Sequence, residues 1–245
     1  MRELNYIDET IERDENPALR IGSVGRSALS TVYLMDCIEG MKQFPDKIFD
    51  LAVVDPPYGI GFGEFNRTNK ASNGERYKAN KYKNSNWDDD IPSDEYFAEL
   101  MRVSKNQIVW GGNYFPYLWQ NGCKGFIYWH KGNPVPNFAD GELAWTSFNK
   151  VAKQFDFRYY GNIQGKTSAE DKIHPTQKPV KLYEWIYQHY TKEGDLILDT
   201  HLGSQSSRIA ANKAGLDFVG FEIDREYFDN GNKRFKNFVS QGVLF

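Results

Sequence analysis

The sequence predicts an α/β protein built on a doubly wound, mostly parallel sheet, and three observations predict it. Short apolar runs that read as buried strands alternate with segments of helical period. Four of those runs end directly on an acid, at Asp36, Asp55, Asp199 and Glu222, and sheets of this kind bind ligands outside the carboxyl ends of their strands. The chain has 245 residues, enough for one such domain with a sizeable core. A single domain over residues 1–245 is expected.

The elements follow in order. Residues 1–30 show no clean period and read as an N-terminal extension. Thr31 to Met35 is a β-branched and apolar run ending at Asp36, and Ile38, Met41 and Phe44 fit one face of a short helix closed by Pro45. Leu51 to Val54 is a buried strand that must stop at Asp55-Pro56-Pro57-Tyr58-Gly59, because two prolines cannot continue a central ladder. Residues 60–90 are polar and aperiodic, a long loop of the kind that serves function. Ser93 reads as an N-cap with Asp94 and Glu95 in the first turn of a helix.

Strands are expected at 107–110, 126–129 and 142–148, and residues 149–173 carry no period. Pro179 suits the first turn of a helix whose stripe is Leu182, Trp185, Ile186 and His189. Leu196 to Leu198 is a strand ending at Asp199. The turn Leu202-Gly203-Ser204 then opens a helix that stops at Gly215. Phe218 to Phe221 is a strand ending at Glu222, and Asp224 caps a final helix.

Composition excludes several classes. Hydrophobic residues are 40% and charged residues 26%, which argues against disorder. No apolar run approaches the ~20 residues that span a bilayer, and Met1-Arg2-Glu3-Leu4-Asn5 lacks the pattern of a signal peptide. The cytoplasm is the expected compartment, and no membrane partner is expected. Cys37 and Cys123 are then expected as free thiols. Neither has a second ligand at metal spacing, so no metal site is expected. Pairing with a second copy of the chain is left open.

The net charge of −3 does not mark a nucleic-acid binder, but such a face needs only local positive charge. Residues 64–86 carry Arg67, Lys70, Arg76, Lys78, Lys81 and Lys83 against Glu64 and Glu75. Residues 149–178 carry Lys150, Lys153, Arg158, Lys166, Lys172 and Lys178 against Asp156, Glu170 and Asp171. Taken alone, each stretch is more often a solvated loop than a binding site.

Three segments carry chemistry. In Asp55-Pro56-Pro57-Tyr58 the prolines hold Asp55 extended and fix the direction of the Pro56 carbonyl. A carboxylate and a carbonyl can together accept both hydrogens of an exocyclic amine on a nucleobase. The nitrogen then pyramidalises and its lone pair becomes available. Tyr58 offers a face on which an extruded base can stack. In Asp199-Thr200-His201-Leu202-Gly203-Ser204 a glycine at a strand-to-helix turn lets a small cofactor approach the backbone, and Glu222 suits ribose hydroxyls. There is no GxGxxG or GxxxxGK[ST], which disfavours a dinucleotide or nucleoside triphosphate. His174-Pro175-Thr176-Gln177-Lys178-Pro179 is rigid, polar and placed just before a helix. Taken singly, these are also a rigid turn, an ordinary strand–helix turn and a proline-bracketed linker.

Together the three segments resemble the amino-methyltransferases of DNA, in their circularly permuted β group, over roughly residues 31–236. The resemblance implies a class I S-adenosylmethionine-dependent methyltransferase fold and methyl transfer from that cofactor to adenine N6 in DNA. It implies that Asp55 and the Pro56 carbonyl hold the amine and that Tyr58 stacks on a flipped base. Asp199, His201, Gly203 and Ser204 would line the cofactor, with Glu222 on its ribose and Asp36 near its adenine. His174, Thr176 and Lys178 would help wrap its methionine end. Residues 60–90 and 149–173 would be the DNA-recognition loops.

Permutation also follows from length. Only 23 residues follow Glu222, so the next strand of the sheet must come from elsewhere, and Val32–Leu34 fits. The cofactor loop departs from the family's Asp-Pro-Phe-x-Gly-Ser-Gly at Thr200, His201 and Gln205, where Gln205 is expected to add bulk beside the ligand. Three alternatives stand beside the main reading. One is the same chemistry on cytosine N4, where the family more often has Ser in place of Asp55. Another is a DNA-binding protein that keeps the fold without activity. The third is methylation of RNA or a small molecule, and here the basic stretch 64–86 leans towards a polynucleotide.

Overall fold

The computed structural model describes residues 7–11, 29–60, 88, 90–132, 139–160, 163–164 and 172–242. The strands are β1 (Ile7–Ile11), β2 (Leu29–Leu34), β3 (Phe49–Val54), β4 (Ser104–Trp110), β5 (Phe126–His130), β6 (Gly141–Thr146), β7 (Lys153–Asp156), β8 (Tyr159–Tyr160), β9 (Ile163–Gln164), β10 (Leu196–Asp199) and β11 (Asp217–Glu222). Nine of them form one sheet in the order β1-β2-β11-β10-β3-β4-β6-β5-β7, and β8 and β9 form a separate pair. The run from β1 to β4 is parallel throughout. Only β6 runs against its neighbours, pairing antiparallel with both β4 and β5.

Alternation along the central strands explains the two layers. Leu51 and Val53 face one side with Val32, Ile108 and Ile197, and pack under the helices Val180–Tyr190, Ser206–Ala214 and Arg225–Gly242. Ala52 and Val54 face the other side with Tyr33, Val109 and Phe221, under the helices Cys37–Met41 and Asp94–Val103. Both faces of the parallel part are thus covered, as buried parallel strands require. Local signals set the helix ends. Ser93 caps Asp94–Val103, Asp224 accepts from the amides of Glu226 and Tyr227, and Gly215 closes Ser206–Ala214 with φ +67°.

The sheet reverses its winding between β10 and β3. The chain goes from β3 outward to β4, and from β10 outward the other way to β11. The strand beyond β11 is β2, from the N-terminal part of the chain, with Val219 opposite Thr31 and Glu222 opposite Leu34. The expected permutation is therefore the observed topology.

Four expectations are corrected. The stretch 1–30 contains β1, which adds to the edge at β2. Its sequence, Ile-Asp-Glu-Thr-Ile, has too little apolar content to announce a strand, and the order comes from the ladder. The stretch 149–173 likewise contains β7, β8 and β9. The side chains of β7 are mostly exposed, so no buried face wrote a period into them. Pro179 stands one residue before its helix, as the cap. The core stripe of that helix is turned toward Tyr183 and Tyr187, leaving His189 exposed.

Cys37 and Cys123 are free thiols. Among the described residues no helix is long and apolar enough to cross a membrane, and no group of three metal-binding side chains occurs.

Candidate active site

Asp36, Asp55, Asp199 and Glu222 all stand at the carboxyl end of the parallel sheet, because each follows or ends one of four parallel strands. The pair that matters most flanks the winding reversal. β10 and β3 are in register at Ile197 with Leu51 and Leu198 with Ala52, which brings the turn after Asp199 alongside Asp55. An open α/β sheet has its natural ligand crevice at such a point.

The Asp199–Ser204 turn is built on buried polar contacts. Asp199 is 2% exposed. It accepts from the His201 amide at 3.0 Å and from the Ser207 hydroxyl. Burial pushes its carboxyl up to about 7, against those hydrogen bonds. His201 is held to about 4 by burial, so at neutral pH it is uncharged. Its ring meets Tyr96 edge-on at 5.4 Å, and the Thr200 hydroxyl lies 2.9 Å from its Nδ1.

Gly203 has φ +47°, a conformation that a side chain disfavours. Its backbone lies under the His174 ring, about where a Cβ would sit 3.5 Å away. His174 in turn packs on Tyr227 at 4.3 Å and sits 3.1 Å from the Thr176 hydroxyl. Its imidazole is lowered to about 4 by burial and by the nearby Lys178 cation.

Glu222 pins the far side of this turn. One oxygen accepts from the Gly203 amide at 2.8 Å, and the other from the amides of Ile223 and Asp224 at 3.0 and 2.9 Å. Asp36 is exposed and caps the helix Cys37–Met41 through the amides of Ile38 and Glu39, a local job that the strand-end reading did not include. Burial pushes the Cys37 thiol up to about 12, so it is no nucleophile.

Gln205 packs against the final helix, a further departure from expectation. It adopts φ +58° and is fully buried, with its side chain set among Arg208, Gly231 and Asn232. Its amide nitrogen donates to Asn232 at 3.0 Å and its oxygen accepts from Arg208 at 3.0 Å. Gly231 leaves the room: a Cβ there would lie 2.7 Å from the Gln205 Cγ. The bulk is absorbed by the final helix.

At Asp55 the structure brings together more than the sequence suggested. The Tyr58 hydroxyl donates to Asp55 Oδ1 at 2.6 Å, and Lys178 pairs with Oδ2. Lys178 also donates to the Tyr58 oxygen at 3.1 Å and lies 3.2 Å from Glu142 Oε2. Glu142 is paired in addition with Lys131. Burial pushes the Asp55 carboxyl above the ordinary range and Glu142 adds to this, while Lys178 and Tyr58 pull against it. Glu142 lies at about 2, because its two lysines overcome burial.

Lys178 therefore sits against the Asp55 carboxylate, whereas the sequence placed it with the cofactor residues. Glu142 and Lys131 were missed. Their signal was faint, since both lie in strand or strand-end positions that read only as β pattern.

Tyr58 stacks on Tyr114 at 5.1 Å and 17°, so it presents a two-ring platform rather than a lone ring. Its loop is held by Asp88, which is 2% exposed and accepts from the amides of Tyr58 and Gly59 at 2.7 and 3.2 Å. Asp88 belongs to the stretch 60–90, and through these two amides it holds the end of Asp55-Pro56-Pro57-Tyr58. Asp88→Ala is expected to lower stability by about 1–3 kcal/mol, the usual cost of stranding buried amides, and to lower turnover with it. Urea midpoints and methylation rates check this, and an unchanged midpoint contradicts it. The six basic residues Arg67, Lys70, Arg76, Lys78, Lys81 and Lys83 lie outside the described residues, as does Lys166.

The chain is similar to known proteins in sequence and in fold. Residues 145–233 match the model of a DNA methylase family, N6/N4 type. The chain is 26% identical over 251 residues to the Type II methyltransferase M.HinfI of Haemophilus influenzae, covering 85% of this chain and 68% of that protein. It is 25% identical over 239 residues to the Type II methyltransferase M2.DpnII of Streptococcus pneumoniae, covering 81% of this chain and 87% of that protein. Among solved structures, the M1.HpyAVI–SAM complex superposes with TM-score 0.53 at 23% identity, over 83% of this chain and 98% of that one. The cytosine-N4-specific PvuII DNA methyltransferase superposes with TM-score 0.56 at 15% identity, over 87% and 91%. These two structures share the fold.

Proposed function

We infer the reaction from one premise: this chain belongs to the N6/N4 group of DNA methylases. The reaction we propose is transfer of a methyl group from S-adenosylmethionine to adenine N6 in DNA. One observation carries the reading. The stiff Asp55-Pro56 corner stands beside the Asp199–Ser204 turn at the reversal of the sheet, so that a carboxylate and a ligand-accepting turn share one crevice.

The turn suits the cofactor on its own terms. Gly203 has no side chain and a positive φ, Glu222 is a fixed acceptor, and the polar pair His174 and Thr176 closes over the glycine. Asp199, His201, Gly203, Ser204 and Glu222, with Asp36 at the neighbouring strand end, would hold it. When bound, S-adenosylmethionine supplies a methyl group activated by a sulfonium.

The chain's residues do the rest. Tyr58 and Tyr114 stack the extruded adenine. The Asp55 carboxylate and the Pro56 carbonyl accept the two N6 hydrogens, which turns the nitrogen lone pair outward. As the C–N bond forms and the C–S bond breaks, the nitrogen becomes positive and sheds a proton. Burial gives Asp55 the affinity to take it. Rate comes from positioning and electrostatics. A carboxylate in place of a hydroxyl at the first motif position favours adenine over cytosine. Recognition of DNA through 60–90 and 149–173, a cytoplasmic location and a part in restriction–modification belong to the same reading.

The test is expression in a methylation-free host followed by long-read mapping of modified bases. N6-methyladenine at one sequence context is expected. N4-methylcytosine would move the target to cytosine, and unmodified DNA would favour the inactive DNA-binding protein.

A further inference from the structure

The geometry points to a two-position ammonium: Lys178 rests on Asp55 until a target base arrives and is then received by Glu142, which makes Glu142 a positioning residue for methyl transfer. This rests on the amine-methylation reading above.

Three observations carry it. First, each oxygen of Asp55 already has a donor, Tyr58 on Oδ1 and Lys178 on the other, so an incoming amine must share the carboxylate with a cation. Second, Glu142 Oε2 is shut off from solvent and is ion-paired with Lys178 at 3.2 Å, a longer contact than the one Lys178 makes with Asp55 and without a well-aligned hydrogen bond. A buried carboxylate oxygen is normally well hydrogen-bonded, and a shift of Lys178 away from Asp55 would tighten this contact. Third, Lys178 is 4% exposed and lies 5.6 Å from the ring centres of both Tyr58 and Trp110. The ammonium is thus confined to a small aromatic chamber with two carboxylates for walls.

Electrostatics says why it must move. The target nitrogen gains positive charge as it accepts the methyl group. An ammonium on the same carboxylate would oppose that charge through a low-dielectric interior. Rotation of the Lys178 terminal torsions carries the cation to Glu142 Oε2 and leaves Asp55 to Tyr58 and the amine. No proton changes hands. Two carboxylates and two ammonium groups (Lys131 and Lys178) balance before and after, so the exchange costs no net charge separation. In the absence of DNA, Lys178 keeps the buried Asp55 charge paired.

Single-turnover methylation of duplex DNA at the mapped site tests this, at saturating cofactor and alkaline pH. Glu142→Gln is expected to slow transfer about tenfold, the ordinary size of coupling between charged residues in contact, because Lys178 then stays on Asp55. The double variant Lys178→Met/Glu142→Gln is expected to regain most of that loss. A structural role alone predicts the reverse, with the double variant slower than either single one. Should Glu142→Gln fail to bind cofactor, Glu142→Asp keeps the charge but withdraws the acceptor by one methylene. It is expected to show the same loss and the same rescue. A double variant no faster than the Glu142 variant overturns the exchange while the parent still methylates DNA. A parent that methylates nothing overturns the functional reading and the exchange with it.

Discussion

Asp55→Asn is expected to lose methyl transfer by about 10³-fold, within the range for removing a group that acts on the reacting atom. Cofactor affinity should stay within a few-fold of the parent. The substitution keeps shape and volume but exchanges one carboxylate oxygen for an N–H donor. Lys178 is a cation and will take the remaining oxygen, since its other acceptors are Tyr58 and Glu142. The amide nitrogen then faces the incoming amine, donor against donor. The amine loses its acceptor and its lone pair stays in the ring. Single-turnover transfer and calorimetry with S-adenosylmethionine separate the two effects. Methylation at the parental rate would remove Asp55 from the mechanism.

Glu222→Ala is expected to weaken S-adenosylmethionine binding by about 10–100-fold while changing the rate at saturating cofactor far less. The side chain serves two masters: three backbone amides of the chain and, in the proposed complex, the ribose. Hydrogen bonds to a charged acceptor contribute roughly 1.5–3 kcal/mol each. Losing one to the ligand and loosening the Gly203 amide together account for the expected loss. Calorimetry reads it directly. A lower melting temperature with an unchanged dissociation constant would confine Glu222 to holding the turn.

What the sequence made legible followed burial. Strands β3, β10 and β11 and the helix caps at Ser93 and Asp224 were written in residue type, because each had a buried face or an orphan amide to satisfy. Asp55, Gly203 and Glu222 were legible for a related reason, since prolines and a glycine at strand ends announce special backbone. β1 and β7 were not legible, since edge strands draw their order from a neighbour's ladder rather than from a period of their own. Glu142 and Lys131 were hidden for a third reason. Their meaning lies in a partner distant in the chain, Lys178, and a lone acid in a strand carries no mark of it. Gln205 was read with the wrong sign because its direction depends on Gly231, whose missing side chain opens the space it fills.

The place of β2 beside β11 has a consequence for how the molecule is made. The Leu29 amide ends on the Asp217 carboxylate at 2.7 Å, across 188 residues of chain. A ribosome working at roughly 5–20 residues per second needs about 10–40 s to cover that interval. For most of it, β2 has left the exit tunnel with one edge of unpaired backbone N–H and C=O groups and no neighbour to take it. The nascent chain must be kept from sticking to other chains until nearly its last helix is synthesised, and a premature stop anywhere before β11 leaves that edge bare for good.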